Sequence, residues 1–175
     1  MGIFSKFTDR IKPYQPKDEL YKLVYDCSRR LITGEISITK HEKALIEGIF
    51  LFTAFCLMRT KNDIVLNDEI ESKLINEVLD HIKHSANLEY ERNRNLNFVC
   101  ERVGLYEKEI YHTFVNNEDK TYLGGIIVHN IFEAPLNREK ESKRSMDIFK
   151  HLKIIPIITD GFYKIDNYFG YNREK

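Results

Sequence analysis

Two groups of acids and imidazoles stand at helical spacing in this sequence. Glu109 and His112 lie three residues apart, which on an α-helix puts a carboxylate and an imidazole one turn apart on one face. Di-iron bundles use that Glu-x-x-His arrangement in two copies together with two further glutamates; here one copy is present. Glu77, Asp80, His81 and His84 form the second group, with neighbours three and four residues apart. Carboxylate oxygen and imidazole nitrogen together make part of a donor set for a divalent metal. A solvated acidic face carrying two surface histidines accounts for the same four residues, and neither group by itself implies a bound cofactor.

A third pair is Arg144 and His151, separated by six residues on a predicted helix. Arginine neutralises a phosphate and histidine moves protons near pH 7, so the two residue types suit phosphoester cleavage. Their spacing resembles the Arg-x4–6-His element of the HEPN family of helical ribonucleases. The resemblance implies an arginine and a histidine of paired subunits acting on an RNA phosphodiester. It covers these two positions only, and Ser145 stands where that family often has Asn, Asp or His.

Other chemistries lack their residues. There is no Gly-x-Ser-x-Gly elbow, and Gly124-Gly125 lacks the further glycines and the Lys-Ser/Thr pair of a phosphate loop. Cys27, Cys56 and Cys100 are odd in number, widely spaced and set among apolar residues, which reads as buried free thiols in a reducing, cytoplasmic setting. Near the C-terminus Phe162, Tyr163, Tyr168, Phe169 and Tyr171 are interleaved with Lys164 and Arg173. Such a pattern can stack bases, but the helical period of most of these aromatics favours core packing.

The elements that must position these residues are helices. Leu20, Leu23, Val24, Cys27 and Leu31 recur at steps of three and four, predicting a helix from near Pro16 to Gly34. Thr39 and Glu42 form a Thr-x-x-Glu capping box, and the segment from Ala44 to Met58 is apolar almost all round. A helix without a polar face has to be wrapped by others, so residues 39–59 should be the central helix. Ile70, Leu74, Val78 and Ile82 predict a third helix starting at Asn67 or Asp68, where acids suit the helix dipole. Leu96, Val99, Val103, Tyr106, Ile110 and Phe114 predict a fourth, running from about Leu88 to Val115 as one helix or two collinear ones. A fifth follows from Asp119 or Lys120 to Glu133. The series Phe149, Leu152, Ile155, Ile158, Phe162, Ile165 and Phe169 predicts a last helix kinked or split at Pro156. The competing reading of this stretch is a hairpin, with residues 154–158 and 162–165 joined across Asp160-Gly161.

Composition sets the outer limits. With 42% hydrophobic and 31% charged residues, the 175-residue chain has the material for one core and lies outside the disordered regime. Twenty-seven basic residues balance 27 acidic ones, which removes the global field that draws proteins to nucleic acid or anionic membranes. The charge is unevenly spread, acidic from Lys61 to Tyr90 and basic after Glu141. Residues 1–16 read as a basic amphipathic arm, with Ile3, Phe4, Phe7 and Ile11 beside Lys6, Arg10 and Lys12, ahead of a helical domain over residues 17–175. The longest apolar run falls short of the roughly 20 residues a membrane span requires. The sequence therefore predicts an all-α, single-domain bundle of five to seven helices. Its expected role is a protein-interaction module of immunity, antitoxin-like or regulatory type, binding another protein and compatible with homo-oligomers. A phosphoester-cleaving helical enzyme, HEPN-like or metal-dependent, is the alternative.

Overall fold

The computed structural model describes residues 14–32, 38–85, 90, 95–114, 121–132 and 154–171. The described residues form six helices: α1 (Glu19–Arg29), α2 (Ile38–Thr60), α3 (Ile64–Lys83), α4 (Leu96–Phe114), α5 (Thr121–Phe132) and α6 (Ile154–Tyr168). No strand occurs among the described residues. The expected arm lies largely outside them, as do Arg144 and His151.

α2 is the axis of the bundle. Ile46, Ile49, Phe50, Leu51, Phe52, Phe55, Cys56 and Leu57 are all buried, which only a helix surrounded on every side can achieve. The other five helices each pack on it, and they neighbour one another in the order α6, α1, α3, α4, α5. Burying each large side chain contributes roughly 1.5–3 kcal/mol, so this one element carries much of the core.

Helix ends depart from the sequence reading in instructive ways. α1 begins at Glu19, because the Asp18 carboxylate accepts from the N–H groups of Leu20 and Tyr21 at 2.9 and 3.0 Å. α2 begins at Ile38, so Thr39 falls within the first turn rather than capping it. α3 starts at Ile64, three residues before Asn67, because Asp63 is its cap and accepts from the Leu66 N–H at 3.1 Å. Asn67 instead stitches the α2–α3 turn, donating to the Leu57 carbonyl at 3.0 Å and to the Thr60 hydroxyl at 2.8 Å. α4 is one helix through Gly104, started by Asn95, whose side chain accepts from the Phe98 N–H at 2.9 Å.

The hairpin reading of the C-terminal stretch is wrong, since Asp160 and Gly161 lie inside α6. Pro156 falls in the first turn of α6, where the missing N–H has no intrahelical partner to lose, and the stretch before Ile154 lies outside the described residues. Gly161 serves contact rather than turning: a β-carbon there would stand 2.6 Å from Cζ of Phe52. α6 thereby comes close enough for Phe162 to stack on Phe55 with centroids 3.9 Å apart. The buried phase runs through Ile154, Ile158, Phe162 and Ile165, leaving Ile155 exposed, contrary to the predicted series. α6 ends in a Schellman motif, with Gly170 at φ 75° and the Tyr171 N–H returning to the Asp166 carbonyl at 2.8 Å.

Candidate functional site

The face of α3 carries two regions of interest, one at each end. At its start, Ile64 and Val65 are 74% and 80% exposed and Leu66 is 39% exposed. Asp63 caps this turn, so backbone hydrogen bonding and not packing holds the three apolar residues in helix. Successive helical positions lie about 100° apart, so they wrap the tip of the α2–α3 hairpin. Exposed Asp63, Asp68, Glu69 and Glu71 surround them, with Lys61 and Lys73 as the basic neighbours.

At the other end sit the four sequence-predicted residues, each bound to a different neighbour. Glu77 accepts a hydrogen bond from the Tyr14 hydroxyl. Asp80 pairs with Lys83 at 2.8 Å and with Lys17 at 3.9 Å, and its carboxyl is held below the usual range chiefly by the Lys83 hydrogen bond. His84 Nδ1 lies 2.7 Å from the Asp80 carbonyl oxygen. A carbonyl only accepts, so that nitrogen carries the proton. His81 is buried, with Nδ1 2.9 Å from the Tyr21 hydroxyl. Tyr14 stacks on its ring at 4.6 Å and 27°, and Tyr25 lies 5.4 Å away. Burial drives the His81 imidazole down to about 4, so the ring is neutral at pH 7. Burial likewise keeps the Tyr21 hydroxyl protonated, well above the ordinary phenol range.

Glu109 is buried and His112 half-buried on α4, and the His112 ring lies edge-on to Tyr111 at 6.1 Å. Among the described residues no three His, Cys, Asp or Glu side chains are gathered so as to hold a metal ion. Cys27 and Cys56 are buried as expected, whereas Cys100 is exposed, a correction to the reading of all three as core thiols. It stands at the mouth of a cleft between α3 and α4 that Glu71, Ile75, Val103 and Glu107 also line.

One polar cluster went unnoticed in the sequence. Glu47, fully buried within the apolar α2, accepts from the hydroxyls of Tyr90 at 3.0 Å and Tyr106 at 2.7 Å. Arg102 lies 3.4 Å from the same carboxylate and donates to Asn130 Oδ1 at 3.2 Å, while Asn130 Nδ2 donates to the Tyr106 oxygen at 3.0 Å. The clue was available: a lone acid within an apolar helix must find partners, because an unpaired buried charge is too costly to keep. The network joins α2, α4 and α5 and fixes their register. A second buried carboxylate, Asp166 on α6, takes the Arg59 guanidinium in two bonds of 2.6 and 2.9 Å.

No family model matches the chain, and no curated protein or solved structure is significantly similar to it. Among the described residues no helix is long and apolar enough to cross a membrane.

Proposed function

We propose that this protein is a helical interaction module that binds another protein through the tip of the α2–α3 hairpin. The observation that carries the reading is the exposure of Ile64 and Val65, at 74% and 80%, where the large aliphatic residues among those described are otherwise mostly buried. Apolar surface left in water is a standing source of association free energy, about 25 cal/mol for each Å² a partner covers. The acids around the tip select the partner's rim. A fitting surface is an apolar groove edged with lysine and arginine, since like charges there would be repelled.

A photo-crosslinking residue placed at the exposed Asp68 position, one helical turn from Ile64, in the full chain and irradiated in native cells, should trap one discrete heterologous protein. Ile64→Glu with Val65→Glu should abolish capture while leaving the far-UV circular dichroism and the unfolding midpoint unchanged, because neither side chain packs in the core. A capture that survives both substitutions, or an adduct made only of two copies of this chain, would refute the proposal.

A further inference from the structure

We infer that the cleft between α3 and α4 seats an arginine side chain of the protein that the α2–α3 tip binds. That role rests on the reading of the tip as a protein-binding surface, and it names the residue with which the partner anchors itself. The cleft opens directly behind the tip, since Lys61 of the α2–α3 turn and Asn67, the residue after Leu66, both line it. It measures about 210 Å³. A cavity of roughly 150 Å³ accepts benzene, so this one has room for one long side chain.

Its floor is apolar and its wall is open. Leu57, Ile75 and Val103, all buried, lie beneath it. Gly104 stands in the α4 wall, and a β-carbon there would meet nothing within 4 Å. Glycine weakens a helix interior, and this one, unlike Gly161 against Phe52, admits no neighbour of its own chain. The space it leaves is available to an incoming group.

The charge of the cleft is negative. Glu71 of α3 and Glu107 of α4 face one ammonium, that of Lys61, and among the described residues none of the three is in a hydrogen bond or ion pair. Neighbouring charges do not restore the balance. Arg102 is turned to Glu47, Lys73 is held by Glu69, and the exposed Glu101 and Lys108 offset one another. Burial raises the Glu107 carboxyl above its usual range, with Lys61 opposing and Glu71 adding to the rise, as in a carboxylate short of a cation.

The polar groups are acceptors. Asn67 gives its amide hydrogens to the Leu57 carbonyl and the Thr60 hydroxyl, so its carbonyl oxygen is what it can offer the cleft. Glu71, Glu107 and Cys100 are not gathered as metal ligands. Acceptors spread over two helices above an apolar floor suit a head rich in donors on an apolar stem. A guanidinium carries five donors in one plane and sheds water more readily than an ammonium, and its methylenes can lie along the floor.

The probe is N-acetyl-arginine amide, titrated into the isotope-labelled full chain beside N-acetyl-citrulline amide, its uncharged isostere, and followed by nuclear magnetic resonance at the Ile75 and Val103 methyls. Saturable shifts are expected with the arginine derivative, at an affinity at least about tenfold above the citrulline one. Glu71→Gln with Glu107→Gln should weaken the arginine derivative by about tenfold or more. Gly104→Leu, which fills the cleft and favours helix, should remove the shifts, with circular dichroism confirming that each variant is folded. Crosslinking from position 68 separates this inference from the reading of the tip. Capture lost both with Gly104→Leu and with Ile64→Glu plus Val65→Glu supports the two together. Capture lost with Gly104→Leu but kept with the tip pair refutes the tip and leaves the cleft as the partner's seat. Capture lost with the tip pair but unchanged by Gly104→Leu overturns the cleft and leaves the tip. The inference also falls if the arginine derivative gives no saturable shift, if citrulline binds as well, or if the shifts persist in folded Gly104→Leu.

Discussion

Glu47→Ala should be among the most destabilising substitutions in this protein. The change removes the acceptor of the Tyr90 and Tyr106 hydroxyls and the carboxylate facing Arg102, at a position with no exposure to water. Truncating one member of a buried, hydrogen-bonded charge pair costs about 3–5 kcal/mol, because the other member's burial is then poorly compensated. Domain stabilities run to only about 5–15 kcal/mol, and at this chain length 1 kcal/mol moves Tm by roughly 2–4 °C. A fall of about 6–20 °C in Tm is therefore expected, read by circular dichroism at the helical minimum and repeated as urea unfolding. Glu47→Gln keeps an acceptor for Tyr106 while losing the charge, and should cost less, about 1–3 kcal/mol. Glu47→Leu combined with Arg102→Met should be less harmful than the sum of the two single changes, with a coupling of roughly 1–3 kcal/mol, since the pair disappears together. A Glu47→Ala protein melting within 2 °C of the parent, or strictly additive single and double changes, would show that the network does not act as a unit.

Stability should also depend on His81. The unfolded chain protonates this imidazole near 6.5, the folded chain only near 4, so the contribution is complete above pH 6.5 and is lost as the pH falls through that window. The loss amounts to about 3 kcal/mol; urea midpoints of His81→Phe should fall less steeply over the same range, and parallel profiles would dismiss the argument. Gly161→Ala should destabilise by about 1–3 kcal/mol despite alanine's better helix propensity, because its methyl meets the Phe52 ring. An equally or more stable alanine variant, measured by thermal melting, would mean that α6 can shift away at no cost. A thiol-reactive dye should label Cys100 alone in the folded protein. Cys27 and Cys56 are buried, and burial pushes the Cys27 thiol up to about 11 and Cys56 higher still. Rapid modification of two or three thiols per chain would contradict the placement of α1 and α2.

The sequence by itself determined the fold class, the central position of α2 and the inward faces of α1, α3 and α4. These follow from the period at which apolar residues recur, and burial enforces that period whatever the neighbours are. Capping was legible in kind but not in place. Asp18 and Asp63 each had competitors a few residues away, and only the path of the incoming chain decides which side chain meets the free N–H groups. Asp160-Gly161 has the composition of a turn and became helix because Phe52 needs a partner without a β-carbon. Tertiary structure alone decided the polar sites. The partners of Glu47 lie 43 and 59 residues away, and the Tyr21–His81 contact spans 60, so no local spacing could announce them. The helix-three acids and histidines shared a face, as their spacing implied, yet Glu77 was drawn to Tyr14 and His81 to Tyr21 of α1, while Asp80 and His84 found their nearest partners within α3 itself. A helical period fixes which side a residue occupies, and the packing of other helices fixes what it meets there.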